Sequence, residues 1–519
     1  MNGFPIISIL TFVPLAGAIL LIGLHSRQKG LARGLALGFS LLNLVLAVTL
    51  WAQFDPRSSG LQFVERHEWI KSLGAQYFVG VDGLGALMVL LTALVVPIAI
   101  LASWRIDEKV PIFFSLVLFL QSGLFGTFTA LNFFHWFIFW EISLVPAFFL
   151  IKFWGGTQRT AAATQFFIYT MVGSVAMLLS FLALYSVTGT FDFMELADKG
   201  RSGEIASQMI VKVTAWQIFN RDQLPLVIFA GVFLGFAVKV PLVPFHTWLP
   251  TTYAEAPTSV TMLLTGLMSK MGVYGFLRIL LPIFPDQMRM VMTPLLWLAV
   301  ATIVLPACAA FAQRDLKRMF AYSSINHLGY CLLGIFALAK LTQADASWNL
   351  QKSAVLNGVL LQMFNHGLTA PILFCFIAFL EQRSGGLRGV DDFGGLRKAA
   401  PVFCGLMGIA IFASLGLPGL NGFIGEFLIF KGSFPLATWA TALSVLGLLV
   451  TAIFLLTMLQ RVFSGPLNGK WSGLADLSWK ERLIVLPALA LMLIIGVYPQ
   501  LLIGKINTTV IAMVENMKF

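Results

Sequence analysis

The sequence predicts an all-α, polytopic membrane fold of about fourteen transmembrane helices, built as two inverted repeats with the seventh and twelfth spans broken. Three observations carry that expectation. Of 519 residues, 58% are hydrophobic and only 11% charged, against roughly 25% charged in ordinary soluble domains, and mean hydropathy is +0.87. Charge-poor runs of about 20 residues recur from end to end, each long enough at about 1.5 Å per residue to cross a hydrocarbon core of about 30 Å. Polar, proline-containing breaks interrupt two runs in corresponding positions, KVPLVP from Lys239 and LGLPGLNG from Leu415, and paired interrupted helices are the sequence sign of inverted-repeat transporters. Short segments of alternating polarity, the mark of a β-barrel, are not seen.

In chain order the apolar runs are 5–24, 31–51, 82–104, 111–130, 133–153, 165–188, 224–246, 257–281, 291–311, 318–339, 353–380, 402–436, 438–462 and 482–503. The first is followed, not preceded, by basic residues (Arg27, Lys29, Arg33), so it reads as a retained helix, not a cleaved signal. The run 402–436 is too long for one straight helix and reads as two half-helices around an irregular middle, which a membrane tolerates only inside protein or beside a cavity. The expected division is 1–104 for helices 1–3, 111–281 for the first repeat, 291–462 for the second, and 482–519 for the last helix and a tail. Only the 52–81 and 189–223 loops are sizeable, and neither has the apolar periodicity to build a domain.

The net charge of +11 sits mostly in short odd-numbered loops, such as Arg105 and Lys109, Lys152 and Arg159, or Arg314, Lys317 and Arg318. Topology and anionic headgroups account for it, and nucleic acid is not an expected partner. By the positive-inside rule those loops face the cytoplasm or its equivalent, and both termini face the other side. The four cysteines, Cys308, Cys331, Cys375 and Cys404, form no CxxC pair, so no iron–sulfur or zinc centre is indicated.

Ionisable residues inside the spans are the candidate functional groups, because an insertion cost of about 2.5–3.5 kcal/mol for a charge at a helix centre demands a partner, water or neutralisation. Glu141, in FFHWFIFWEISLVP, is either a partner for Lys239, a carboxylate at a helix end or a neutral buried acid. Burial favours the neutral form of both groups and pairing the charged form, so a pair that opens and closes acts as a gate. Lys270 is either buried in the eighth span or snorkels to a surface. His246, in PFHTWLP, is an interfacial cap or a proton relay. His327 and His366, beside Ser323, Ser324, Asn326 and Asn365, read as a polar trail, against the plainer alternative of satisfied core histidines. Glu426, just past the second break, is the exit group of such a trail. Glu255 and Asp82 read as helix N-terminal charges or caps. No HExxH or HxxxH spacing points to a metal.

Several long motifs occur in order: VGVDGL at Val79 to Leu84, FWE at Phe139 to Glu141, FWGG at Phe153 to Gly156 and VKVPLVPFHTWLP at Val238 to Pro250. EAPTSV follows at Glu255 to Val260, then LMSKMGVYGFLR at Leu267 to Arg278, RDLKRMFAYSSINHLG at Arg314 to Gly329 and LGLPGLNGFIGEF at Leu415 to Phe427. Over nearly its whole length the chain resembles the antiporter-like membrane subunits of respiratory complex I, specifically the M-type (mitochondrial subunit-four type) or its photosynthetic D-type counterpart. The resemblance implies that Glu141 and Lys239 are the charged pair of helices five and seven, Lys270 the connecting lysine, His327 and His366 axis histidines and Glu426 the ionisable group of helix twelve. It implies proton translocation driven by quinone reduction in other subunits. Those subunits would hold quinone, flavin and iron–sulfur clusters, and this chain no cofactor. Partners would be other membrane subunits and lipids, and the location a bacterial inner membrane or thylakoid. Gln165 stands where the family often has lysine, and Thr251 to Tyr253 replace the more usual acidic and histidine residues. Competing expectations are a D-type subunit of a multi-subunit Mrp-type cation/proton antiporter, a hydrogenase-like complex, a carbon-dioxide-uptake variant, and a structural spacer that no longer pumps.

Overall fold

Every apolar run becomes a helix or a pair of half-helices in the computed structural model, which describes residues 4–209, 223–339 and 346–517. The elements in order are α1 (Ile6–Ile22), α2 (Lys29–Gln53), a hairpin of β1 (Gln62–Ile70) and β2 (Ala75–Val81), α3 (Gly83–Ala102), α4 (Val110–Thr129), α5 (Phe133–Trp154), α6 (Arg159–Thr188) and the short α7 (Phe193–Arg201). There follow α8 (Gln223–Lys239), α9 (Trp248–Glu255), α10 (Thr258–Ile283), α11 (Pro285–Ala312), α12 (Leu316–Leu338) and α13 (Asn349–Ser384). The last are α14 (Pro401–Ser414), α15 (Asn421–Leu436), α16 (Thr438–Phe463), α17 (Trp479–Val497) and α18 (Gln500–Asn516). Among the described residues nine helices are individually long and apolar enough to cross a bilayer. The protein is an integral membrane protein.

Both expected breaks are present. The seventh span stops at Lys239 and resumes as α9, while the twelfth is split into α14 and α15 around Leu415 to Leu420. Gly416 and Gly419 in that gap have φ of +75° and +91°, the left-handed region open mainly to glycine. Centrally placed are α10 and α13, whose membrane windows are wholly buried. They cross at two glycines: a Cβ on Gly367 would lie 2.9 Å from the Gly266 carbonyl oxygen. That close approach brings their polar side chains within bonding reach.

Three features depart from expectation. The 52–81 loop is not featureless: β1 and β2 pair antiparallel, with Glu65 opposite Val79 and His67 opposite Tyr77, the turn made possible by Gly74 at φ +61°. The 189–223 loop contains α7, capped by Asp192 accepting from Met194 and Glu195; residues 210–222 lie outside the described residues. The tail after the last span is a helix of its own, bent 65° from α17. Pro499 explains the bend, because proline excludes helical geometry from the residue before it, and Tyr498 sits at φ −129°, ψ 70°. Thr509 of α18 accepts a hydrogen bond from Gly83 N (2.9 Å), and Lys505 donates to the Phe54 carbonyl (2.7 Å).

Loop contacts sort the chain into two faces. On one, Arg33 reaches the Ile106 carbonyl, Trp154 the Glu108 carbonyl, Gly156 N the Glu255 carbonyl, Lys317 the Ala256 carbonyl, Arg388 the Ala254 carbonyl and Arg383 the Asp476 carbonyl. These are the basic, odd-numbered loops. On the other face Arg66 pairs with Asp192 (3.0 Å) and Arg278 with Asp82 (2.5 Å).

Candidate functional site

The six principal candidates fall into two groups. The first is Glu141 and Lys239. Lys239 ends α8, where the unpaired carbonyls of a helix C-terminus favour a cation. It is 3% exposed, and its ammonium lies over the Trp140 ring, 4.8 Å from the centroid. Neither Lys239 Nζ nor Glu141 Oε1 has a hydrogen-bond partner. The two residues face the same interior but are not in contact, so the structure holds this pair open. Trp140 is fixed by a bond from its Nε1 to Ser174 Oγ (2.9 Å).

The members of the second group lie side by side. Lys270 is fully buried, which removes the snorkelling alternative. Its Nζ lies 2.6 Å from His366 Nδ1 and donates to the Thr265 carbonyl at 2.5 Å. A π-helical turn, Leu264–Met268, immediately precedes it, and a second follows at Phe276–Leu280. Such turns loosen the regular bonding of a helix and occur often at functional sites. The His366 and His327 rings pack with centroids 5.3 Å apart. His327 in turn places Nδ1 3.1 Å from Glu426 Oε1 and Nε2 3.1 Å from Ser414 Oγ. Glu426 also accepts from Gln362 Nε2 (3.3 Å). A buried run thus leads from Lys270 through both histidines to Glu426, beside the break between α14 and α15.

The remaining candidates lie elsewhere. His246 is half-buried between α8 and α9, with Nδ1 unpartnered. Ser323 is buried on α12, but it is Ser324 that bonds across to Thr265 Oγ1 (2.9 Å). Asn326 braces three helices: it donates to the Ile303 carbonyl (2.7 Å) and accepts from Thr451 (3.1 Å). Asp82 caps α3 through Gly85 N, as expected, and also holds Arg278. Glu255 does not serve its own neighbouring helix; its carboxylate accepts from Gln158 N (2.9 Å) at the start of α6.

Sequence reasoning missed Gln362, Ser414 and Asn421. Gln362 stands one helical turn before His366, a visible spacing. Asn421 could be identified only from the fold, since it bonds the Asn365 carbonyl and Thr369 across the α13–α15 contact. Among the described residues no group of three or more His, Cys, Asp or Glu could hold a metal, and all four cysteines are free.

A bundle with two broken helices and a buried series of amine, imidazole and carboxylate defines the class: a polytopic membrane protein built to handle ions within its core. The family model "NADH:quinone oxidoreductase/Mrp antiporter, TM" matches residues 130–453. NADH-quinone oxidoreductase subunit M of Rhodobacter capsulatus is 34% identical over 517 residues, covering 98% of this chain and 96% of the relative. F(420)H(2) dehydrogenase subunit M of Methanosarcina mazei is 35% identical over 504 residues, 95% of each. The solved respiratory complex I from Thermus thermophilus contains a chain 28% identical with TM-score 0.84, covering 99% of this chain and 100% of that one. A chain of the Mrp complex from Dietzia sp. has TM-score 0.82 at 20% identity, covering 98% and 97%, which establishes a shared fold alone. The chain belongs to this family, as an antiporter-like membrane subunit of the complex I type.

Proposed function

We propose that this chain translocates protons within a complex I-type quinone oxidoreductase, with Glu141, Lys239, Lys270, His327, His366 and Glu426 carrying them and quinone reduction in other subunits supplying the drive. The observation that supports this best is the buried run from Lys270 to Glu426. Leucine at those positions would avoid the insertion cost of an ionisable group, about 2.5–3.5 kcal/mol for a lysine or aspartate, so an inert spacer has no use for them. The open Glu141–Lys239 pair supplies the gate. When the two groups meet, each favours the charged state of the other; when they part, desolvation favours release of the lysine's proton. That proton can then pass toward Lys270 and on through the histidines, whose two ring nitrogens let them accept on one side and donate on the other. Flavin, iron–sulfur clusters and quinone belong to the partner subunits in this reading, and the chain contributes translocation and no redox step. The segments 111–281 and 291–462 would act as two half-channel units.

Vesicles containing the intact assembly with Glu426→Gln test the reading. Acidification driven by quinone reduction should fall by roughly 10²-fold, as when a positioned proton-transfer group is removed, while the assembly keeps its subunits. Acidification at the parent rate would remove Glu426 and the histidine run from the pathway.

A further inference from the structure

A second set of polar side chains lies along α10 between the basic face and Lys270. Along α10 stand Thr258, Thr261, Thr265 and Ser269, at positions i, i+3, i+7 and i+11, which at 3.6 residues per turn share one face of the helix. All four are buried, as is Tyr253. Thr258 Oγ1 donates to Glu381 Oε2 (2.6 Å). Thr261 Oγ1 donates to the Tyr253 carbonyl (3.0 Å), and the Tyr253 hydroxyl bonds the side chains of Thr265 and Ser269. Lys270 Nζ lies 3.5 Å from Ser269 Oγ. Glu381 has 21% of its side chain exposed and, with Ser103, Arg105 and Ser259, lines an open cleft of about 300 Å³.

Hydroxyls in helices commonly bond back to their own backbone, and Ser269 does so to the Thr265 carbonyl. Thr258 and Thr265 do not behave that way: one turns to Glu381 and the other to Ser324. The one ion pair of Glu381 among the described residues is a long one. Arg388 is committed to Asp315 at 2.6 Å and stands 3.8 Å from Glu381, and the Lys317 ammonium points to the Ala256 carbonyl.

We propose that Glu381 collects protons at the basic face and delivers them along Thr258, Thr261, Thr265 and Ser269 to Lys270. A hydroxyl both donates and accepts, so each accepts a proton on one side as it releases its own on the other. Glu381 returns to carboxylate, every hydroxyl is restored and Lys270 becomes ammonium. Adjacent hydroxyls on the helix lie about one turn apart, a gap that a bridging water would close.

The proposal rests on the reading of Lys270 as a proton carrier, and the test separates the two. Intact assemblies carrying Glu381→Gln, Thr258→Val or Lys270→Met are reconstituted, and acidification driven by quinone reduction is measured. Glu381→Gln and Thr258→Val should each lower it by roughly 10²-fold, with recovery in Glu381→Asp and Thr258→Ser. Sodium formate added at the basic face should restore Glu381→Ala, which a purely structural carboxylate would not allow. Parent-rate pumping in Glu381→Gln or Thr258→Val, with Lys270→Met inactive, overturns the ladder and leaves the function standing. Parent-rate pumping in Lys270→Met overturns the function itself. Should Glu381→Gln fail to assemble, Thr258→Val decides alone, since it leaves the Arg388–Asp315 pair intact.

Discussion

At the scale of single residues, the open pair of Glu141 and Lys239 is the feature with the sharpest consequence. An ammonium over an indole ring gains about 2 kcal/mol or more when desolvated, so Trp140 is the group that holds Lys239 in place while its carboxylate is elsewhere. Lys239→Ala should therefore abolish quinone-driven acidification in vesicles while the complex still assembles, and Glu141→Gln should be nearly as severe; a mild effect in the second would give Glu141 a structural role. Asn326 carries the opposite expectation. Both ends of its amide are spent on the Ile303 carbonyl and Thr451, so Asn326→Ala should lower stability by about 1–3 kcal/mol, the cost of leaving buried partners unsatisfied, read as an earlier thermal transition of the purified assembly. The candidates themselves were legible, because an amine, acid or imidazole in an apolar run stands out. Their partners were less so: nothing in the order of residues says that Glu255 bonds the amide of Gln158 rather than its own helix.

Among the elements, the two interrupted helices were visible in advance from proline and glycine in otherwise unbroken apolar runs. The π-helical turns around Lys270 were not, since no residue in LTGLM or FLRIL marks them. Packing decides there. The glycine crossing of α10 and α13 sets Lys270 against His366, and Gly367→Ala would press a methyl on the Gly266 carbonyl. Overpacking of this kind costs about 1–3 kcal/mol. It should lower both the thermal transition and the pumping rate, and an unchanged rate would show that the 2.6 Å Lys270–His366 contact is not needed. The hairpin and α18 escaped detection for a different reason: their stability comes from tying to distant chain, such as Thr509 to Gly83, and not from local pattern.

For the whole molecule, the basic loops touch one another on one face, and acidic–basic pairs such as Asp82–Arg278 and Arg66–Asp192 close the other. Given the positive-inside rule, a reporter fused after Phe519, itself outside the described residues, should appear on the outer side; a cytoplasmic signal would invert the topology. The even spacing of apolar runs made this organisation readable without a structure. What was hidden is how far the polar interior extends: Glu381, Thr258 and Gln362 sit in ordinary-looking positions and become significant only when helix packing sets Thr258 against Glu381 and Gln362 against Glu426. The proposed proton lines converge on Lys270, so the deciding measurement is acidification by intact assemblies bearing Lys270→Met. Loss of proton movement with the subunits still assembled is the predicted result, and acidification at the parent rate would contradict it.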